Sequence, residues 1–152
     1  MLTRRELLLL SAAFGLPMTA ALSLPAAGNG GMRLGVLQSR VPFIDERDLR
    51  GSRERAFDAY RALLRRGVEL NASLDWLAGG AFVLSGPGPF AAPTLEYLAL
   101  AAHNAEVEWL AAFARDHGLR VTVGAWWREP GADVAPRLLV FESDGVWLSL
   151  IH

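Results

Sequence analysis

The chain has 152 residues, 52% of them hydrophobic and 20% charged, with a net charge of −1, which suits one globular domain plus a short extra segment and excludes a disordered chain. The near-zero charge lacks the clustered basic excess that nucleic-acid binding needs. There is no cysteine, and all fifteen basic residues are arginine, so disulfides, thiolate metal ligands and any chemistry that needs a thiol or an amine side chain are ruled out.

Residues 1–31 differ from the rest. Arg4 and Arg5 precede an uncharged stretch from Leu7 to Leu24, interrupted by Gly15 and Pro17 and followed by Pro25-Ala26-Ala27-Gly28. A basic start, an apolar middle and small residues at the end are the parts of a secretory signal peptide. Thr3-Arg4-Arg5-Glu6-Leu7-Leu8 resembles a twin-arginine leader, although Pro25 stands where a cleavage site favours alanine. Three readings stay open. An export signal would place the product in the periplasm or outside the cell. An uncleaved anchor would make the leader the sole membrane contact, its apolar stretch just reaching the length of a span. A start at Met32 would leave the product in the cytoplasm.

From Met32 onward the pattern is that of a layered α/β domain. Arg33–Gln38 is a short apolar run that predicts a buried strand, and Asp45–Arg55 reads as a charged loop. From Glu54 a helical period sets in: Phe57, Tyr60, Leu64 and Val68 recur every three or four residues, and Gly67 sits near the end. Arg61, Arg65 and Arg66 flank that stripe as a solvated face. Ser73–Leu77 and Phe82–Leu84 are apolar runs separated by Gly79-Gly80, and Ser85-Gly86-Pro87-Gly88-Pro89 is irregular. A second helix is predicted over Ala102–His117, with Val107, Leu110, Ala111 and Ala114 inward and Gly118 as its stop. Leu119–Trp127 then reads as a strand with Val121, Val123 and Ala125 on one side. A hairpin follows from Arg137–Glu142 and Val146–Ile151 around Ser143-Asp144-Gly145. Adjacent residues of a strand face opposite ways, so one of Trp126 and Trp127 belongs to the core and the other is partly exposed. Trp76, Trp109 and Trp147 fit core positions.

Four segments in this order resemble the nitrilase, or carbon–nitrogen hydrolase, superfamily. Met32-Arg33-Leu34-Gly35-Val36-Leu37-Gln38 is similar to its opening strand. Asp75-Trp76-Leu77-Ala78-Gly79-Gly80-Ala81-Phe82-Val83-Leu84-Ser85-Gly86 resembles the segment that carries the family's catalytic glutamate. Leu110–Gly124 is similar to the helix and strand that follow, and Phe141–Leu148 to the hairpin before the catalytic lysine. The resemblance covers residues 32–152 as the N-terminal part of such a domain. It implies part of a four-layer α-β-β-α sandwich and a site in which cysteine attacks a nitrile or amide carbon, glutamate is the base and lysine stabilises the developing charge. It implies no cofactor.

Carried over residue by residue, the site fails. The glutamate position falls on Ala81, whose methyl group cannot take or give a proton; the lysine position would lie one or two residues beyond His152, and the cysteine farther on. Glu69 and Glu96 flank the segment without replacing the base. His152 is a solvated end, and His117 beside Gly118 suits a helix terminus. His103 and His117 lack metal-ligand spacing with any carboxylate, so no metal site is expected. The resemblance thus implies an inactive amidase-like domain; the alternative is a pseudoenzyme or an exported binding module without catalysis. An apolar inner face left uncovered would call for a homo-oligomer or a complementary C-terminal half.

Overall fold

The computed structural model describes residues 22–23, 31–38, 44–79 and 90–151. Phe82–Leu84, Ala81 and His152 lie outside the described residues. Six strands form one sheet in chain order: β1 (Leu22–Ser23), β2 (Leu34–Val36), β3 (Trp76–Ala78), β4 (Arg120–Trp127), β5 (Ala135–Phe141) and β6 (Trp147–Ile151). β2, β3 and β4 run parallel, while β4, β5 and β6 form an antiparallel meander. β1 pairs antiparallel with β2 through Leu22–Val36 and Ser23–Gly35, so the end of the leader region forms a strand of the sheet. Parallel neighbours require a crossover of a dozen or more residues. Here α1 (Leu49–Leu70) links β2 to β3, and α2 (Ala92–Leu98) with α3 (Ala105–His117) precedes β4.

The first helix begins earlier than its apolar period suggests, at Leu49 rather than near Glu54. Asp48 is the reason: its Oδ1 accepts the Gly51 N–H at 2.9 Å, which satisfies an otherwise orphaned donor and starts the helix ahead of its first buried aromatic. Ser52, Ala56, Phe57, Tyr60, Leu63, Leu64 and Gly67 form the buried stripe. α3 starts at Ala105 instead of Ala102, after Asn104, whose side chain accepts the Ala101 N–H. His103 therefore lies in the turn before the helix. At the other end Gly118 adopts φ 61°, a left-handed cap that closes on the Ala114 and Arg115 carbonyls. α2 was not expected from the sequence. It has seven residues, a proline in its first turn and no side-chain cap bond at Ala91.

α1 and α3 lie on one face of the sheet and touch each other through Phe57 and Trp109, whose rings meet edge to face at 5.7 Å. That face carries the core: Leu37, Leu77, Val121, Val123, Ala125, Leu139 and Phe141 pack against Tyr60, Leu64, Leu110, Phe113 and Ala114. Arg53 ties the three helices together. Its Nε donates to Glu106 at 2.6 Å, and its Nη1 donates to the Tyr97 and Ala99 carbonyls at 2.6 and 3.4 Å. Burial raises the cost of charge on Glu106, but the hydrogen bond and charge of Arg53 outweigh it and hold this carboxyl below the ordinary value of 4.5.

The arginines beside the α1 stripe are an outer surface, as expected. Arg61 pairs with Asp58 and Arg66 with Glu69; Arg61 and Arg65 also lie over the Trp109 ring. Trp127 is buried and Trp126 half-buried, the division that strand alternation requires. Trp76, Trp109 and Trp147 are only partly buried: Trp109 and Trp147 stand at the margin of the core, whereas Trp76 is on the other face of the sheet from Leu77.

The second face of the sheet is also apolar. Leu34, Trp76, Trp126 and Leu138 are half-buried there, and at its flanks Val36 is 45% and Leu148 53% exposed. One sheet and one helical layer thus account for the described core, two of the four layers of an α-β-β-α sandwich.

Candidate functional site

In an open sheet with parallel strands, ligands and catalytic groups gather beyond the carboxyl ends of those strands. Here that edge is built by β2, β3 and β4. The Leu37 N–H donates to the Ala78 carbonyl and the Gly79 N–H to the Thr122 carbonyl, both at 2.8 Å. These bonds extend the ladders one residue past β3, to Gly79, which Gly80 and Ala81 follow in the sequence. Both of those positions lie outside the described residues.

Gly79 is confined on two sides. A Cβ added there would run into the Tyr60 hydroxyl and come within 2.9 Å of the Thr122 carbonyl oxygen. Only a residue without a side chain lets α1 and β4 close on this exit. Tyr60 is 1% exposed, and its hydroxyl is buried with no hydrogen-bond partner among the described residues. Burial pushes its ionisation far above the ordinary value of 10.0, so it is a neutral group with an unused donor and no role as a base at neutral pH. The sequence places Tyr60 on the inner stripe of α1. What it does not reveal is that the ring's polar end stops against the strand that leads to Ala81.

On the second face, Trp76 and Arg120 pair at the amino ends of β3 and β4, the end away from this exit. The Trp76 Nε1 donates to Thr122 Oγ1 at 3.3 Å, the Arg120 guanidinium lies 5.3 Å from the Trp76 ring centre, and Arg120 Nε donates to Glu142 at 2.9 Å. The Arg120 charge is thus compensated by Glu142.

The carboxylates weighed as substitutes for the base lie elsewhere. Glu69 is exposed in the last turn of α1, paired with Arg66 at 3.1 Å. That turn leads into the start of β3, the opposite end of the sheet from Gly79. Glu96 is exposed on α2. His117 stacks obliquely on Phe113, ring centres 4.4 Å apart, at the C-terminus of α3. Among the described residues no group of three His, Asp or Glu side chains is placed to hold a metal ion, and no helix is long and apolar enough to cross a membrane.

The sequence matches no family model and no curated protein. Solved structures do match. A CN-hydrolase superfamily protein from Xanthomonas campestris is 24% identical over 63% of this chain and 33% of its own, with a TM-score of 0.52. A carbon–nitrogen hydrolase from Helicobacter pylori G27 is 15% identical over 80% of this chain and 40% of its own, with a TM-score of 0.62. A Nesterenkonia AN1 amidase of the nitrilase superfamily is 16% identical over 77% and 40%, with a TM-score of 0.53. The chain thus spans at most 40% of the length of these three proteins. At such identities the likeness is one of fold: the chain has part of a nitrilase-type α/β fold.

Proposed function

We propose, from a nitrilase-type fold with an alanine at the position of the general base, that this chain is an amidase-like domain that does not hydrolyse C–N bonds. Ala81 carries the reading. Loss of a positioned base costs on the order of 10²–10⁴ in rate, and residues 1–152 also contain neither a lysine nor a cysteine. The covalent route has no nucleophile within this sequence, and the developing oxyanion has no ammonium. A longer polypeptide supplying both would still lack the base.

The test is ammonia release from small amides and nitriles by purified protein, alongside an Ala81→Glu variant. Neither should exceed the uncatalysed rate, since the variant restores one group of three. Turnover that follows the protein through purification and is altered by substitutions around Gly79 would overturn the proposal.

A second reading concerns partners. The second sheet face, with Val36 and Leu148 about half exposed, suits association with another copy or with a polypeptide that supplies the opposing sheet, because exposed apolar patches of this kind mark interaction sites. A monodisperse monomer at micromolar concentration, measured by light scattering, would count against it. The twin-arginine-like leader supports export. Fractionation of cells expressing the full chain tests that, with retention in the cytoplasm as the contrary result.

A further inference from the structure

The last part of the leader belongs to the sheet. Leu22 and Ser23 form β1 and pair antiparallel with β2, Leu22 opposite Val36 and Ser23 opposite Gly35. β1 stands first in the strand order, so without it β2 would be the edge. The hydrolase resemblance starts at Met32 and does not include β1.

The hydrogen bonds of β2 define what that edge offers. The Leu37 N–H donates to the Ala78 carbonyl, and the Arg33 carbonyl accepts from the Trp76 N–H, both in β3. Along a strand the main-chain groups of successive residues turn to opposite sides, so Gly35 shares the β3 side with Arg33 and Leu37. The N–H and C=O of Leu34 and Val36 point the other way. An uncovered edge of this kind is a template for another strand, and proteins protect it with charge or proline. Leu34-Gly35-Val36 carries neither. β1 covers the edge instead. Val36 turns both of its main-chain groups toward Leu22, which makes the two a pair of the type that exchanges two hydrogen bonds.

The residues between the two strands suit this arrangement. Pro25, Gly28, Asn29, Gly30 and Gly31 lie there, the types that turn a chain back on itself. The same stretch holds the small residues that resemble the end of an export signal. Cleavage within it would separate β1 from the domain.

We propose that β1 is a removable edge strand: the end of the leader fills a strand-pairing slot along Leu34 and Val36, and loss of the leader opens the sheet there. The slot fits an extended peptide running antiparallel to β2, held by main-chain hydrogen bonds. The pairing stands on backbone geometry alone, whereas its release in the cell rests on the export reading.

A chain without cysteine allows the pairing to be trapped. In the full chain, Leu22→Cys with Val36→Cys puts thiols on opposite residues, whose Cα atoms in such a pair lie about 5.5 Å apart, within reach of a disulfide. Oxidised glutathione should close it within one chain, read as loss of free thiol without added mass. Ala21→Cys with Val36→Cys is one residue out of register and on the opposite face. It should close at least about tenfold more slowly. Neither pair closing, or both closing equally fast, would overturn the pairing. Release is tested separately. A protease site placed at residues 26–29 lets the leader be cut and removed by gel filtration, with residue-resolved amide exchange measured before and after. The Val36 amide should then exchange about tenfold faster or more, while the Gly35 and Leu37 amides, on the β3 side, change by less than about twofold. A Val36 amide unaffected by the cut, or Gly35 and Leu37 amides accelerated as much as Val36, would overturn the removable strand even where the thiols pair in register.

Discussion

Replacing Tyr60 with phenylalanine should stabilise the protein. The residue is 1% exposed and its hydroxyl has no hydrogen-bond partner among the described residues, so folding strips that oxygen of water without a replacement from them. A buried donor left unsatisfied costs about 1–3 kcal/mol. Phenylalanine keeps the ring contacts and forgoes the penalty, and part of the gain is lost with the contacts the oxygen makes near Gly79. We therefore expect a net gain of about 1–2 kcal/mol. For a chain of this length that corresponds to a rise in Tm of roughly 3–6 °C. Urea unfolding followed by tryptophan fluorescence should show a higher midpoint with an unchanged slope. If Tyr60→Phe instead loses about 1 kcal/mol or more, the hydroxyl has a native partner, and the reasoning about the β3 exit fails.

Gly79→Ala should destabilise by about 1–3 kcal/mol, because the new methyl group meets the Thr122 carbonyl as well as the Tyr60 hydroxyl. Combining it with Tyr60→Phe should recover part of that loss, and strict additivity in a double-mutant cycle would refute the contact. Glu106→Gln should cost about 1 kcal/mol in urea unfolding by replacing the carboxylate that Arg53 Nε donates to with a neutral amide oxygen; a change near zero would show that the pair is not coupled to folding. Because the folded state holds Glu106 below its ordinary 4.5, the pair contributes fully above that value, and its contribution fades as acid protonates the folded carboxyl. Asp48 and Asp75, lowered by the Gly51 N–H and by Arg33 respectively, act in the same direction. Tm should therefore fall as pH drops below about 4.5, less steeply in the Glu106→Gln protein, and a flat profile would contradict this. Gly118→Ala places a side chain at φ 61° and should cost about 1 kcal/mol by the same unfolding assay.

Much of this fold is legible because its signals are local. The Phe57–Tyr60–Leu64 stripe, the Gly118 stop and the Val121–Val123–Ala125 alternation each arise within one element, and each lies where the period puts it. The start of α1 is hidden because Arg50, Gly51 and Ser52 interrupt the apolar period, while the Asp48 cap acts through a hydrogen bond that hydropathy cannot register. α2 is obscured by Pro93 and by the proline- and glycine-rich stretch before it, although proline in a first helical turn is well tolerated. At the candidate site, Ala81 is conspicuous only beside the family pattern; alone it is one more apolar residue in a strand-like run. The contact between the Trp127 and Trp147 rings is not legible at all. Trp127 and Trp147 are twenty residues apart, and only the path of the meander brings their rings together.

The tie made by Arg53 also has a kinetic side. A helix as short as α2 has little stability alone in water, and it begins without a side-chain cap. Its last turn is held from α1 by the guanidinium on the Tyr97 carbonyl. The same strut reaches Ala99, next to the bridge by which Leu100 joins the end of β4 at Trp127. Local opening of this stretch would unfasten the helix and the Leu100 bridge in a single event. Amide exchange across residues 92–103 would read that opening, and Arg53 would govern its rate from a helix that is not part of the segment.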